Sequence, residues 1–264
     1  MTRIYDCTVV SDYATGMRLA RSAIARGALV VIPTDTVYGL AADAFSPEAV
    51  QRLLDAKGRG RQSPPPVLIP GIGTLDALAV NIPQPVRELV AEFWPGGLTV
   101  VLHAQPSLVW DLGDTRGTVA LRMPSNPIAL DLLADTGPLA VSSANTSGLP
   151  SAVDAATAAE MLGESVEVYL DGGAAGTGYE PIGDRAGDTS STIIDATGFH
   201  TNGGKLVIVR KGVISREALA AVVGDALAPE GFVAPVAATP QDEVPAASAR
   251  EDATGDSTET DVAG

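Results

Sequence analysis

Hydroxyls, a carboxylate and a phenol crowd together in Pro33-Thr34-Asp35-Thr36-Val37-Tyr38-Gly39-Leu40, directly after the apolar run Val30-Val31-Ile32. Lys57, Arg59 and Arg61 follow, in a chain whose only other lysines are Lys205 and Lys211. Cations so close together on Gly- and Pro-rich backbone suit a polyphosphate, because arginine grips phosphate bidentately and lysine acts as a point charge. A blander role competes, since cations at and just past a helix end also complement its dipole. Thr118 to Arg122 reads as an apolar strand ending in a cation before a proline. That guanidinium could clamp a carboxylate or form an edge salt bridge. Leu139-Ala140-Val141 runs into Ser142, Ser143, Asn145 and Thr146, which can bind a ligand or simply build a polar turn. Ser191-Thr192 opens a further strand and Arg210-Lys211 closes another. Several apolar strands thus carry Thr, Ser, Asn or Arg at one end, where the ligand crevice of an open α/β sheet lies. The set holds no evident general base, so it would bind and polarise rather than pull protons.

The elements that must position these groups can be read from periodicity and punctuation. The spacing predicts a helix over 14–26, stopped by Gly27, and a short buried strand over 29–32. Ser46-Pro47-Glu48 is a helix start, with Ser as N-cap and Pro at the first helical position. Val50, Leu53, Leu54 and Lys57 follow on one face and Gly58 ends the helix. Lys57 therefore continues an apolar stripe, an odd place for a merely solvated lysine. Residues 58–70 form a basic, proline-rich stretch. Further strands are expected at 67–69, 98–102, 118–122, 139–142, 166–170, 192–195 and 205–210, and helices at 84–93, 127–135, 153–162 and 216–223. Strands and helices mix without a strict repeat, which predicts a single α/β domain built on a mixed, twisted open sheet with helices packed on it.

Composition narrows the function classes. The 264 residues are 45% hydrophobic but only 4% aromatic, so a sizeable core of Ala, Val, Leu and Ile is expected. One cysteine, Cys7, excludes a disulfide framework and a cysteine zinc site and fits a reducing cytosol, so a cytoplasmic location is expected. No signal peptide and no apolar run long enough to span a membrane are visible. Residues 225–264 carry nine acids against one base; the net charge is −15 overall and −7 without them. An acidic domain repels nucleic acid in general, so any nucleotide site must be made by local cations. Residues 1–224 are expected to form the domain and 225–264 an acidic, Ala/Pro-rich disordered tail. No P-loop or dinucleotide fingerprint is present. His103 and His200 are separate, which argues against a histidine metal site or a Ser-His-Asp triad.

The ordered motifs resemble the YrdC-type threonylcarbamoyl-AMP synthases. The matching pieces are Pro33–Leu40, Lys57-Gly-Arg59, Trp94-Pro-Gly-Gly-Leu-Thr99, Val119-Ala-Leu-Arg-Met-Pro124, Ser143-Ala-Asn-Thr-Ser-Gly148, Asp171-Gly-Gly173, Ser191-Thr-Ile-Ile-Asp195 and Arg210-Lys-Gly212. They occur in family order from about residue 14 to 215. The resemblance implies a YrdC-like fold and a nucleotidyltransferase. It would make threonylcarbamoyl-AMP and pyrophosphate from L-threonine, bicarbonate and ATP, with Mg²⁺ accompanying the ATP and no organic cofactor or protein-held metal. A partner transferase complex would then pass the threonylcarbamoyl group to an adenosine beside the tRNA anticodon, with at most a weak tRNA contact by this chain.

Carried over by motif, Thr34 and Arg122 would hold the threonine, with Tyr38, Leu68, Val141 and Ser191 near it. Lys57, Arg59, Arg61, Thr118, Ser143, Asn145, Ser151 and Arg210 would surround the ATP, with Lys57 and Arg59 carrying the catalytic charge. The sequence departs from the family pattern at Gly60 and Pro64-Pro65-Pro66 and at Gly97, where proline is commoner. The stretch from Gly173 to Ser190 is also longer, either an extra lid or a surface loop. Two other readings stand beside this one. A non-catalytic RNA-binding module of the same fold is disfavoured by the −7 charge. A carbamoyl-transfer domain of the hydrogenase-maturation kind would need flanking segments that are absent.

Overall fold

The computed structural model describes residues 3–180 and 189–232. In chain order they form β1 (Ile4–Asp6), α1 (Val10–Ala25), β2 (Val30–Ile32), β3 (Gly39–Asp43), α2 (Pro47–Lys57), β4 (Val67–Leu68), α3 (Gly73–Leu78), β5 (Ala79–Val80), α4 (Gln84–Phe93), β6 (Leu98–Ala104), β7 (Thr118–Arg122), α5 (Pro127–Thr136), β8 (Leu139–Ser143), α6 (Ala155–Leu162), β9 (Val168–Asp171), β10 (Thr192–Asp195), β11 (Val207–Arg210) and α7 (Arg216–Val223). The strands make one mixed sheet in the order β1-β9-β2-β3-β8-β4-β7-β6-β10-β11, with β5 beside β6. Parallel pairs such as β2–β9, β4–β7 and β6–β10 alternate with antiparallel ones such as β3–β8 and β6–β7.

The central strands are buried on both faces because successive side chains point to opposite sides. Val30 and Ile32 pack with α1 and α5, whereas Val31 packs with α2 and α6. Leu68, Leu139 and Val141 face the α1–α5 side; Val67, Val100 and Leu121 join α3, α4 and α7 in the other half of the core.

The helix punctuation works as expected around Lys57. The Ser46 hydroxyl accepts from the Ala49 N–H, and Gly58 takes the left-handed conformation (φ +63°) that ends α2. α1 begins earlier than its pattern predicts, at Val10, because its first turn is exposed and shows no apolar stripe. Gly16 lies where that helix crosses Tyr5 and Leu170; a Cβ there would come within 2.8 and 2.9 Å of their side chains.

Periodicity misses β1, α3, β5 and, next to the site, β3. Gly-Leu-Ala-Ala-Asp lacks β-branched residues. It folds back antiparallel to β2, with Ile32 opposite Gly39, so residues 33–38 become a loop at the strand ends in the middle of the sheet. The expected tail boundary at 225 also moves. Leu227 bridges to Leu206, Ala228 donates to the Leu206 carbonyl, and both residues are buried. The domain therefore runs through at least Phe232, since burying these apolar side chains offsets their ordering cost. The expected tail beyond 232 and the middle of the 173–190 segment lie outside the described residues.

Candidate active site

The loop 33–38 and the ends of β8, β4, β7, β6, β10 and β11 surround one crevice of about 180 Å³ that opens to solvent. Of the residues singled out by sequence, Thr34, Tyr38, Leu68, Arg122, Val141, Ser191, Arg59, Ser143, Ser151 and Arg210 line it. Lys57, Arg61, Thr118 and Asn145 do not. Among the described residues no carboxylate and no histidine lines it.

At one end, Arg122 is fixed by its surroundings. Its Nε donates to the Gly96 carbonyl (2.9 Å), Nη1 to Thr36 Oγ1 (2.8 Å) and Nη2 to Asp35 Oδ1 (2.7 Å). The Arg122–Asp35 pair is almost enclosed, with side-chain exposures of 8% and 9%. A guanidinium has five N–H groups. Three are committed here among the described residues, which leaves two for a ligand. Thr34 Oγ1 donates to the Val37 carbonyl and accepts from the Thr36 N–H, so the loop is braced by its own hydroxyls. Leu68 and Val141 supply apolar wall.

At the other end, Arg59 donates to Ser147 Oγ (2.9 Å) and Ser142 Oγ (3.3 Å). Nearer Arg122, since Thr99 precedes Val100 and Val100 pairs with Leu121, Arg210 donates to the Ser191 carbonyl (2.7 Å) and to Ser191 Oγ (2.8 Å), whose oxygen also meets Thr99 Oγ1 at 2.9 Å. Ser142, named with its turn, also borders the crevice, as do Thr36, Thr99 and Ser190, to which the sequence reading gave no role. Thr36 and Thr99 sit inside motifs already singled out, and Thr36 alternates with the selected Thr34, which was the available signal.

Four expected ATP ligands are placed elsewhere. Lys57 is fully buried and turned inward: its Nζ donates to the carbonyls of Ser143 (2.5 Å) and Asn145 and to Asn145 Oδ1 (2.8 Å). Burial, and secondarily the Arg59 guanidinium, push its pKa down to about 7. Lys57 thereby clasps the β8 turn to the end of α2 and presents Ser143 without bordering the crevice itself. Asn145 is the other half of that clasp, its Nδ2 donating to the carbonyls of Thr146 and Leu149. Arg61 points to the surface and pairs with Asp111 (2.6 Å) and Asp114 (3.7 Å). Thr118 stands at the start of β7, the far end from Arg122, where its hydroxyl donates to the Thr115 carbonyl. Tyr38 lines the crevice, but its hydroxyl is occupied: it donates towards Asp171 Oδ1 (3.0 Å) and the Gly173 carbonyl (2.6 Å) and accepts from the Gly172 N–H. Burial raises its pKa well above the ordinary phenol value, and Asp171 adds to the shift.

A family model described as "Telomere recombination" (Sua5, YciO, YrdC) matches residues 22–212. The chain belongs to this family. It is 47% identical to a Mycobacterium tuberculosis protein named by inference as a threonylcarbamoyl-AMP synthase, over 85% of this chain and 96% of that one. It is 37% identical to the threonylcarbamoyl-AMP synthase of Bacillus subtilis, over 74% of this chain and 53% of that one. Among solved structures, the Pyrococcus abyssi Sua5 complex with L-threonine aligns at a TM-score of 0.73 and 34% identity, covering 86% of this chain and 62% of that one. The chain thus spans nearly all of the mycobacterial relative and about three-fifths of the archaeal chain. Escherichia coli YciO, at 22% identity and a TM-score of 0.66, shares the fold. Among the described residues no helix is long and apolar enough to cross a membrane.

Proposed function

We propose that the chain condenses L-threonine, bicarbonate and ATP into threonylcarbamoyl-AMP and pyrophosphate. The observation that carries this reading is the composition of the crevice: arginines and hydroxyls at both ends, an apolar wall between them, and no acid or histidine among its described lining residues. Threonine's amine and bicarbonate form a carbamate with loss of water and need little help. A carbamate oxygen then attacks the α-phosphorus, a new P–O bond forms, and the bond to pyrophosphate breaks. Negative charge shifts onto phosphoryl oxygens, so fixed cations and positioning supply the acceleration.

Arg122 would take the threonine carboxylate with its two uncommitted N–H groups. Thr34 and Ser191 would meet its polar atoms, and Leu68 and Val141 its methyl. Arg59, Arg210, Ser143 and Ser151 would face the nucleotide. Lys57 would act through Ser143. Among the described residues no three metal-binding side chains gather, and the crevice lining suits phosphate oxygens better than a divalent ion. Mg²⁺ would arrive on the ATP phosphates and neutralise part of their charge. The adenylate would go to a transferase acting on tRNA.

The test is direct. The protein is incubated with ATP, Mg²⁺, bicarbonate and labelled threonine, and pyrophosphate and the labelled adenylate are measured. Both products are expected together. Binding of ATP without any threonine-dependent product would overturn the proposal.

A further inference from the structure

The Arg122 grip does not stand alone. The Asp35 carboxylate that holds Nη2 also accepts from the Ser125 N–H through the same oxygen, at 2.9 Å. Its second oxygen, Oδ2, accepts from the hydroxyl of Tyr179 at 3.1 Å. Tyr179 belongs to the stretch after β9 that is longer than the family pattern leads one to expect. The start of that stretch is tied down: Ala175 donates to the Val153 carbonyl, and Gly176 packs against the Thr36 carbonyl, where a Cβ would come within 2.7 Å.

Tyr179 also touches the opposite side of the grip. Its phenol lies against Gly96 and Gly97, such that a Cβ on them would reach its oxygen at 3.4 and 3.2 Å. Gly96 supplies the carbonyl that holds Arg122 Nε. One side chain therefore braces both the carboxylate on Nη2 and the peptide on Nε. This accounts for Gly97 where the family commonly has proline. A larger residue there would collide with Val213, at 2.3 Å, and crowd the phenol.

We infer that Tyr179 is a positioning residue for substrate recognition: acting through Asp35 and Gly96-Gly97, it fixes the Arg122 guanidinium in the orientation that receives the amino-acid carboxylate. Without the hydroxyl, Asp35 Oδ2 lacks its donor in an enclosed site. The carboxylate is then free to turn about its χ2 bond, and Arg122 follows it. Burial and the neighbouring Asp35 charge keep Tyr179 protonated, its pKa pushed up to about 12, so it remains a donor throughout the physiological range.

The inference rests on the threonine-side reading of the crevice. Tyr179→Phe removes the hydroxyl and keeps the ring. Steady-state kinetics of adenylate formation should show KM for threonine raised about tenfold or more, the size expected for losing one hydrogen bond to a charged group. KM for ATP and kcat at saturating threonine should stay within about twofold of the parent, and the melting temperature should hold. An unchanged threonine KM would overturn the inference. So would equal losses in both KM values and kcat, which would mark a structural role. If the Tyr179→Phe protein melts early, Tyr179→His restores a donor and should recover threonine KM; failure to do so with a normal melt also overturns it. A parent protein that makes no adenylate refutes the proposed reaction instead, a distinct outcome.

Discussion

Replacing Lys57 with methionine separates a buried clasp from a phosphate ligand. Methionine keeps the length and apolar stem and deletes the ammonium. The Asn145 carbonyl and Asn145 Oδ1 then lose this donor, while the Ser143 carbonyl keeps the Asn145 N–H at 2.9 Å. Each unsatisfied buried acceptor costs about 1–3 kcal/mol. Part of that is offset because a buried ammonium no longer has to be desolvated. The net loss is about 3 kcal/mol, which for a domain of this size lowers the melting temperature by roughly 6–12 °C. Circular dichroism melts of ligand-free protein at pH 6 measure it, with Lys205→Met, a partly exposed lysine whose side-chain hydrogen bond is solvent-facing, as the control. A pH series adds a signed check. The unfolded chain holds the lysine proton up to about 10.5, whereas the folded chain holds it only to about 7. The unfolded state binds more protons across that window, so parent stability should rise relative to Lys57→Met as pH increases through it. If Lys57 instead reached only for ATP, the apo melt would stay within about 1 °C of the parent and only the ATP dependence would change. That result would refute the clasp.

Arg61→Ala should leave ATP KM unchanged and shift the melting temperature by no more than about 2 °C, because exposed ion pairs such as its contacts with Asp111 and Asp114 contribute little; a tenfold rise in ATP KM would show that it swings into the crevice. Truncation before residue 225 should lower the melting temperature by several degrees more than truncation after residue 232, because only the first removes the buried Leu227 and Ala228; equal melts would contradict that packing. Cys7 is half-buried, and burial with Asp171 and Asp6 nearby pushes its pKa up to about 11. Its thiolate fraction at pH 8 is then about two orders of magnitude below that of an ordinary cysteine, so a thiol reagent should label it slowly and speed up steadily towards pH 11.

Much of the site is legible in the sequence. Short apolar runs ending in Thr34, Arg122 and Ser143, and one opening after Ser191, marked the crevice edge, because a strand's pattern is local and its polar terminus has few places to go. The fate of the cations was not legible. Lys57, Arg59 and Arg61 share one segment and one charge, and nothing in their spacing says which of them faces a ligand. That depends on where the β8 turn places its carbonyls and where Asp111 lies, and both come from residues remote in sequence.

The sequence by itself determined the α/β class, the capped start and glycine stop of α2, the absence of P-loop chemistry and the ordered motifs that mark the family. These rest on local propensity, hydrophobic period and residue type, which act within a few positions. Only the tertiary structure decided that β3 returns along β2, that Lys57 turns inward, and that Asp35 and Tyr179, 144 residues apart, brace Arg122 from one side of the crevice. Those arrangements arise because buried donors and acceptors must find partners, and in a mixed sheet the partner within reach is rarely the neighbour in the chain.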